Sequence, residues 1–401
     1  MRLFIKKRTP EILKKLIKNS AKIAHYTWLR FLSYFLFPFR GYQSPLGGYY
    51  ISTKDLISDI NGDYILLDNS EYINYPSYQK SYLQKITGSK KIDSDSCFIS
   101  PETFVSIIPN GRVLYDYGVV VSPNHKLVGD VSINLGGDSS KHGVMFDRYL
   151  PPVQNIQGSL AVLSSTAHQR YFHWMFDVLP RIEMLKRSQI LIDSYLINCE
   201  KSFQRDSIEL LGIPKEKIIS PQSNTHIQAE ILIVPSLPGK ISYVTRRSCN
   251  FLRSIFLNEP AHFESNRYLY ITRGDALTRR VLNEDEVLIE LTKYGFEFIA
   301  LEGMPIVEQA KLFASAKIIV APHGAALTNI VFCQKNSIVI EFMPDTYIEP
   351  CFERLANLLS LRYKCLKAKT IDKTFTNSVE KTHDHYVNLS ELNLLLQKYL
   401  N

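Results

Sequence analysis

The sequence lacks the short motifs that mark several large classes of enzyme. It contains no GxGxxG, no GxxxxGK[ST] and no GxSxG. These patterns build the dinucleotide-binding turn, the P-loop and the nucleophile elbow, respectively. Their absence argues against a typical nicotinamide-dependent dehydrogenase, a P-loop NTPase and an α/β-hydrolase.

Cysteine is scarce and scattered. The six cysteines among 401 residues include no CxxC pair. Zinc sites and disulfide frameworks depend on closely spaced cysteines, whereas isolated thiols suit a reducing compartment. We therefore expect a cytoplasmic protein without a zinc site or a disulfide framework.

The chain also lacks a clean run of about 20 apolar residues, which a membrane-spanning helix needs. The apolar stretch 23–39 is interrupted by Arg30 and begins beside His25. Because it follows a lysine-rich segment, residues 1–40 predict a basic amphipathic arm that lies on an anionic membrane surface. The alternative is that the aromatic side chains of this arm dock on the protein's own core.

A net positive charge is absent from the rest of the chain. The overall net charge is +8, yet residues 1–40 hold ten basic residues and one acidic residue, which leaves 37 basic and 38 acidic residues elsewhere. A nucleic-acid enzyme usually carries basic residues around its cleft. We predict no nucleic-acid partner and a peripheral position at the inner face of the plasma membrane.

The hydrophobic pattern predicts the α/β class. Residues 41–158 are typical of a β-rich lead-in, with a hairpin turn at Asn110-Gly111. From residue 160 strands and helices alternate in two series, which predicts two Rossmann-like domains with a cleft between them. The expected domains are the arm (1–40), the lead-in with the first Rossmann-like domain (41–258) and the second Rossmann-like domain (259–401).

The same pattern gives the approximate position of each element in the two series. Strands are predicted over 160–163, 195–198, 218–219, 231–234, 268–273, 296–299, 317–321 and 337–342. Helices are predicted over 171–187, 203–211, 245–257, 284–294, 305–315 and 349–359.

One turn between a strand and a helix-like segment is suited to an anion. The Ile- and Val-rich run 317–321 stops at Pro322-His323-Gly324-Ala325. Backbone N–H groups at such a turn, together with the helix dipole, hold phosphate groups. Gly324 and Ala325 are small enough for a ligand to approach the backbone, and His323 adds a donor. The alternative is a plain connection between a strand and a helix.

Three further positions carry candidate chemistry. His173 and Asp177 are four residues apart, so a helix places them on one face, where a carboxylate orients an imidazole as a base. The alternative places His173 in the core. Arg273 ends a predicted strand, and it and Arg280 are candidate phosphate clamps, unless they belong to a solvated loop. Glu341 ends another strand and predicts a contact with ribose hydroxyls, the alternative being a surface glutamate.

Taken in order, four stretches resemble the family 61 glycosyltransferases, particularly bacterial members of capsular polysaccharide synthesis. The stretches are His173-Trp174-Met175-Phe176-Asp177-Val178-Leu179-Pro180-Arg181, the segment 273–284, Pro322-His323-Gly324-Ala325-Ala326-Leu327-Thr328-Asn329 and Ile340-Glu341-Phe342. The resemblance covers residues 100–370 and gives no guide to the arm.

The resemblance implies a GT-B-like fold and an inverting transfer that needs no metal and no cofactor. The donor would be a nucleoside diphosphate sugar, with a UDP-sugar as the first expectation. The acceptor would be a hydroxyl of a cell-surface polysaccharide or a lipid-linked glycan. His173 and Asp177 are the expected catalytic pair, with either of them as the base. The expected donor-binding residues are Arg273, Arg280, His323, Gly324, Ala325, Asn329 and Glu341.

Two other functions stay open at this point. A sugar-nucleotide epimerase of similar shape would turn over the donor without an acceptor. A non-catalytic, membrane-docked assembly protein would keep the fold and show no turnover. Neither the donor sugar nor the acceptor follows from the sequence, because pockets separate epimeric hydroxyls by a few hydrogen bonds.

Overall fold

Two large β-sheets form the frame of the computed structural model, which describes residues 41–74, 97–133, 138–240, 242–257, 264–274, 276–371 and 383–400. The strands are β1 (Gly48–Tyr50), β2 (Asp63–Asp68), β3 (Tyr72–Asn74), β4 (Cys97–Ile99), β5 (Thr103–Pro109), β6 (Arg112–Leu114), β7 (Val119–Val121), β8 (Lys126–Val128), β9 (Gln154–Val162), β10 (Ser194–Leu196), β11 (Ile218–Ile219), β12 (His226–Pro235), β13 (Arg267–Ile271), β14 (Glu297–Ile299), β15 (Ala316–Pro322), β16 (Ile338–Pro344), β17 (Arg362–Thr370) and β18 (His385–Tyr386). The predicted arm and the predicted domain break at residues 258 and 259 lie outside the described residues.

The helices alternate with the strands from β9 onward. They are α1 (Thr53–Asp59), α2 (Tyr171–His173, continued by a π-helical segment Trp174–Val178 and by Leu179–Ser188), α3 (Ser202–Leu210), α4 (Arg246–Leu257), α5 (Glu284–Thr292), α6 (Ile306–Ala314), α7 (Cys351–Leu358) and α8 (Leu389–Leu400). Short 3-10 helices cover Ser139–Lys141, Gly143–Phe146, Lys215–Lys217 and Ala325–Phe332. Among the described residues, no helix has both the length and the hydropathy that a membrane span requires.

The first sheet combines a parallel part with an antiparallel part. Strands β12, β9, β10 and β11 are neighbours in that order and run parallel, while β5 and β6 both pair with β12 in the antiparallel sense. The β-rich lead-in is therefore a mainly antiparallel extension of the first parallel sheet, in which β1 and β8 pair in the parallel sense. A short ribbon of β3 and β4 lies apart from both large sheets.

The predicted hairpin at Asn110-Gly111 is wrong. Strands β5 and β6 do not pair with each other, because both lie along β12. Asn110 and Gly111 continue that edge, since Asn110 N–H donates to the carbonyl of Glu230 at 3.0 Å and Gly111 carbonyl accepts from Ala229 N–H at 3.1 Å. Asn110 takes a positive φ of 53°, which asparagine tolerates in a bulge as well as in a hairpin turn.

The second sheet has the order β14-β13-β15-β16-β17-β18, and all pairs from β14 to β17 are parallel. One face packs against α5 and α8 through Tyr270, Ile340 and Phe342. The other face packs against α6, α7 and the 3-10 segment Ala325–Phe332. Helices thus cover both faces, which explains why these strands are continuous apolar runs.

A single hydrophobic cluster joins the two sheets. It includes Leu163 and Ile233 beside the first sheet, Trp174 in α2, and Ile319 and Val339 in the second sheet. Helix α4 takes part in the junction, because Phe256 packs edge-on against Phe332 with ring centroids 5.9 Å apart. The predicted α/β class and the alternation of elements from β9 onward are confirmed, with ends shifted by a few residues.

Candidate active site

The topology of the second sheet brings two separate stretches of sequence together. After β13 the chain goes to β14 on one side and then returns to β15 on the other. Open parallel sheets bind ligands beyond the carboxyl ends of the two strands where this reversal occurs. Arg273 follows β13, and His323 and Gly324 follow β15. Three of the predicted donor-binding residues therefore lie at the reversal point.

Arg273 lies directly against the backbone of Gly324. A Cβ atom added to Gly324 would be 1.7 Å from Nη1 of Arg273. The backbone of Gly324 is extended, with φ at 177° and ψ at 172°, so any residue could adopt its conformation. Glycine leaves the space that the guanidinium of Arg273 occupies. The contact places a guanidinium beside the exposed Ala325 at the start of the 3-10 segment.

His323 is held by the second sheet on two sides. Its backbone N–H donates to the carbonyl of Phe342 at 2.9 Å, and its Nδ1 is hydrogen-bonded to a carboxylate oxygen of Glu341. The rings of Tyr347 and Phe352 lie 5.4 and 5.3 Å from the imidazole centroid. Only 3% of His323 is exposed. Nε2 is consequently the ring nitrogen that Glu341 leaves for a ligand.

Glu341 does not fit its predicted contact with ribose. The residue is 0% exposed, and its second carboxylate oxygen accepts a hydrogen bond from the hydroxyl of Tyr363. The alternative reading as a surface glutamate is also wrong. A buried carboxylate needs partners of this kind because an unpaired charge in the core is costly. The carboxylate of Glu341 is hydrogen-bonded to His323 and Tyr363 instead.

The segment after Gly324 is a 3-10 helix, Ala325–Phe332, where the pattern predicted an α-helix-like stretch. Its last residues face the core. Asn329, predicted to bind the donor, is fully buried: Nδ2 donates to Oε1 of Gln309 at 2.7 Å, and Oδ1 accepts from the hydroxyl of Tyr171 at 2.9 Å. Both ends of this amide are occupied, so Asn329 connects α2 to α6 and does not face the reversal point.

Arg280 is engaged with a carboxylate. Its Nε and Nη2 donate to Oδ2 of Asp384 at 3.1 and 2.8 Å, and its backbone N–H donates to Oδ1 at 3.0 Å. The Asp384 side chain is 2% exposed, whereas that of Arg280 is 47% exposed. This geometry neutralises the charge of Arg280 locally and fixes the loop before α5 to the segment that precedes β18. It leaves Arg273 as the arginine that touches the Gly324 turn.

His173 and Asp177 form the hydrogen-bonded pair that their spacing predicts. Nδ1 of His173 lies 2.7 Å from Oδ2 of Asp177, and their side chains are 20% and 15% exposed. The alternative of a core position applies to Trp174 instead, which is fully buried and donates from Nε1 to the hydroxyl of Ser207 at 2.9 Å. The pair spans the π-helical segment of α2, a type of turn that occurs frequently at functional sites.

Arg181 lies one turn after Asp177 on α2. Its guanidinium is buried and donates to the carbonyls of Val162 at 2.8 Å, Ser164 at 3.4 Å and Pro235 at 3.3 Å. Burial lowers the pKa of Arg181 to about 10, and the charge of Asp177 opposes this shift. Sequence reasoning missed this position of Arg181, because α2 also carries Glu183, Lys186 and Arg187 and the pattern does not single out one charged residue as buried.

The two halves of the site meet through aromatic and polar contacts. Besides the hydrogen bond between Tyr171 and Asn329, the ring of Phe172 packs on Phe352 with centroids 5.9 Å apart. Phe352 in turn contacts His323. The ring of Phe172 also lies 5.5 Å from that of His173. The His173–Asp177 pair and the His323 turn are therefore separated by two aromatic side chains.

A cleft of about 310 Å³ opens beside this contact. The lining residues that precede residue 258 are Tyr171, Ser202, Phe203 and Asp206. Those that follow it are Leu301, Glu302, Gly303, Met304, Ile306, Gln309, Ala325 and Ala326. Among the described residues, the lining of this cleft carries two carboxylates and no cationic side chain. Its electrostatics favour a neutral polar group over a phosphate. Within the described ranges, no three His, Cys, Asp or Glu side chains are grouped as ligands for a metal.

A family model, Glycosyltransferase 61, matches residues 171–340. The matched segment begins with α2 and ends within β16. It contains the His173–Asp177 pair, Arg273, and the His323 turn, while Glu341 is the next residue after it.

Three curated proteins illustrate the similarity. An alpha-1,3-arabinosyltransferase, XAT3, of Oryza sativa subsp. japonica is 30% identical over 118 residues, which are 28% of this chain and 20% of that protein. An EGF domain-specific O-linked N-acetylglucosamine transferase of Drosophila melanogaster is 31% identical over 101 residues, which are 24% of this chain and 19% of that protein. A beta-1,2-xylosyltransferase of Arabidopsis thaliana is 27% identical over 121 residues, which are 27% of this chain and 23% of that protein.

The chain thus spans about a fifth of the length of the curated relatives that it matches. These relatives come from plants and an animal, so the bacterial capsular role stays a prediction. Their names support the expectation of a glycosyltransferase. The part of this chain that holds the candidate site is similar to the Glycosyltransferase 61 family.

Proposed function

We propose that this protein is an inverting glycosyltransferase that moves a sugar from a nucleoside diphosphate donor to a hydroxyl of a glycan. The observation that carries the proposal is the contact between Arg273 and Gly324 at the reversal point of the second sheet. A guanidinium held against the backbone turn that follows His323 suits a diphosphate leaving group. The similarity of residues 171–340 to glycosyltransferases supports the same conclusion.

The proposed reaction uses the two halves of the site together. The acceptor oxygen attacks the anomeric carbon from the face opposite the diphosphate, and the bond from that carbon to the diphosphate oxygen breaks. Nε2 of His173 takes the acceptor's proton while Asp177 holds Nδ1. Asp177 as the direct base is the alternative. Arg273 and His323 balance the charge that develops on the departing nucleoside diphosphate.

The proposed architecture is GT-B-like, with an acceptor-binding unit before residue 258 and a donor-binding unit after it. Two sheets with parallel strands and a cleft at their junction support this arrangement. The cleft lining, with two carboxylates and no cationic side chain among its described residues, suits an uncharged polar part of one substrate. A UDP-sugar is the first donor to test, and a cell-surface or lipid-linked glycan is the proposed acceptor.

The first experiment is a titration of the purified protein with UDP, GDP, CDP and ADP, followed by thermal denaturation. A ligand that binds only the native state raises the melting temperature. We expect one nucleoside diphosphate to stabilise the wild type and to lose this effect in Arg273→Ala. No shift with any of the four would contradict the donor assignment.

The second experiment separates the candidate functions. The corresponding radiolabelled sugar nucleotide is incubated with and without a membrane glycan extract. Transfer that needs the extract and is lost in His173→Ala supports the transferase. Conversion of the donor sugar without any acceptor supports an epimerase. No turnover, in wild type and variant alike, supports an assembly protein without catalysis.

We further propose that residues 1–40 hold the enzyme at the inner face of the plasma membrane. Ten basic residues against one acidic residue suit an anionic lipid surface. Co-sedimentation with phosphatidylglycerol vesicles should fall sharply when this arm is deleted. Equal binding of both forms, or equal binding to neutral phosphatidylcholine vesicles, would contradict the membrane role.

A further inference from the structure

Glu341 places a carboxylate on an apolar face of the second sheet. Glu341 is fully buried, and its neighbours on that face of β16 are Val339 and Met343. Tyr363 and Cys365 lie beside it on β17, in register with Val339 and Glu341. Burial of a charge in such a place is unfavourable unless hydrogen bonds compensate for it. A carboxylate at this position therefore needs hydrogen-bond partners.

Glu341 has two such partners. The hydroxyl of Tyr363 donates to Oε2 of Glu341, and Nδ1 of His323 is bonded to Oε1. Tyr363 is 3% exposed and His323 is 3% exposed, so all three groups are shielded from water. Since Oε1 and Oε2 each have a fixed partner, the carboxylate plane is set by Tyr363 and in turn sets the imidazole.

We infer that Tyr363 and Glu341 are positioning residues for His323, fixing the ring so that Nδ1–H faces the carboxylate and Nε2 serves the diphosphate at the Gly324 turn. The hydrogen bond at one ring nitrogen decides the role of the other. This inference rests on the proposed donor site. It adds a residue, Tyr363, that is 40 positions from His323 in the sequence.

Several titratable groups around Glu341 have raised pKa values. Burial, and then the charge of Glu341, raise the pKa of Glu353 to about 7. The same two causes, in that order, raise the pKa of the Cys351 and Cys365 thiols and of the Tyr363 hydroxyl well above their usual values. Each of these neighbours is thereby favoured in its protonated, uncharged form.

The chain offers a matched control for the Tyr363 hydroxyl. Tyr270 in β13 is also fully buried and also donates to a glutamate, with its hydroxyl 2.8 Å from Oε1 of Glu284. It lies on the opposite face of the same sheet. Tyr270→Phe removes a comparable hydrogen bond without touching His323, so it measures the structural part of the effect.

The test reads the imidazole directly by nitrogen-15 NMR of histidine-labelled protein, with His323→Asn used to assign the signal. We expect a strongly downfield Nδ1–H resonance in the wild type. It should be lost in Glu341→Gln and shifted in Tyr363→Phe, and it should be unchanged in Tyr270→Phe. An unchanged resonance in both Glu341→Gln and Tyr363→Phe overturns the inference, whether or not the protein binds a nucleotide.

Calorimetric titration with UDP and with inorganic pyrophosphate adds the functional readout. We expect about tenfold weaker binding in Glu341→Gln and a smaller loss in Tyr363→Phe, with Tyr270→Phe close to the wild type. Equal loss in Tyr363→Phe and Tyr270→Phe reduces the effect to stability and contradicts positioning. A wild type that binds neither probe sinks the proposed donor site, while the NMR result still decides whether Tyr363 and Glu341 position the ring.

Discussion

Arg273 and Gly324 are in contact although 51 residues separate them in the sequence. Each follows a parallel strand, and the two strands are neighbours at the point where the winding of the sheet reverses. The guanidinium occupies the space that a side chain at position 324 would fill. The contact therefore explains two residue choices at once: the arginine by its charge, and the glycine by the room that it leaves.

Gly324→Ala should displace Arg273 and weaken donor binding. A Cβ 1.7 Å from Nη1 cannot be accommodated without movement of the guanidinium. Charge-assisted hydrogen bonds contribute about 1.5–3 kcal/mol, so we expect UDP affinity to fall at least about tenfold. Because both changes act on one interaction, Gly324→Ala should add little to Arg273→Ala in a double-mutant cycle.

Gly274→Ala provides the control for that cycle. Gly274 follows Arg273 directly, and a Cβ added there meets nothing within 4 Å. Its affinity for UDP should match the wild type in the same calorimetric titration. Full additivity of Gly324→Ala and Arg273→Ala would show that the two residues act separately and would contradict the role of the contact.

Arg280 should behave in the opposite way to Arg273. Arg280→Ala leaves Asp384 buried without the guanidinium that now neutralises it, so we expect a loss of about 2 kcal/mol in the free energy of unfolding. UDP affinity should stay within about twofold of the wild type, because the paired guanidinium already has its carboxylate.

Asp384→Asn, added to Arg280→Ala, should recover part of the lost stability because it removes the uncompensated charge. Urea unfolding and UDP titration of the two variants decide the matter. A tenfold loss of UDP affinity in Arg280→Ala, with stability unchanged, would restore Arg280 as a phosphate clamp.

The order of strands and helices from β9 onward follows from the sequence because parallel strands covered on both faces are continuous apolar runs. Strand β15 is an example: the run from Lys317 to Ala321 predicts it within one residue of the observed Ala316–Pro322. The lead-in is harder to predict, since Asn-Gly suits both a hairpin and a bulge. Only the partner strand β12 decides between them, and it lies more than 100 residues away.

The candidate site likewise combines contacts that the sequence predicts with contacts that it does not. The spacing of His173 and Asp177 is local, and a helix converts it directly into a contact. The engagement of Asn329 by Tyr171 spans 158 residues, and that of Arg280 by Asp384 spans 104 residues. No local pattern reveals partners at such separations. Residue types therefore identified chemically capable groups, and the fold decided which partner each of them contacts.

Asn329→Ala should weaken the connection between α2 and α6. The buried amide joins the hydroxyl of Tyr171 to Gln309, and its removal leaves both without this partner. An unsatisfied buried polar group costs about 1–3 kcal/mol, so we expect the free energy of unfolding to fall by about 2–4 kcal/mol in urea. Because Tyr171 begins the helix of His173, transfer should fall as well.

Tyr171→Phe should lose a smaller part of that stability, about 1 kcal/mol, since it removes one hydrogen bond and keeps the ring. Tyr294→Phe is its control, because the hydroxyl of Tyr294 makes only a long contact, 3.4 Å, with Oδ1 of Asn393. Equal stability of Asn329→Ala and the wild type would show that the amide does not join the two helices.

Glu353 should contribute a stabilisation that declines between about pH 4.5 and pH 7. Burial, followed by the charge of Glu341, raises the pKa of this carboxyl from 4.5 to about 7 in the folded state. In that interval the Glu353 carboxyl of the folded protein retains a proton that the unfolded chain has lost, so this residue's contribution to the free energy of unfolding falls as pH rises. The contribution is about 3 kcal/mol in total and levels off above pH 7.

Glu353→Gln, which resembles the protonated form, should remove this slope and gain stability relative to the wild type as pH rises from 5 to 8. Glu209→Gln, at an exposed position on α3, is the control and should follow the wild type. Parallel urea-unfolding curves for wild type and Glu353→Gln across this interval would show that Glu353 is already ionised in the folded protein.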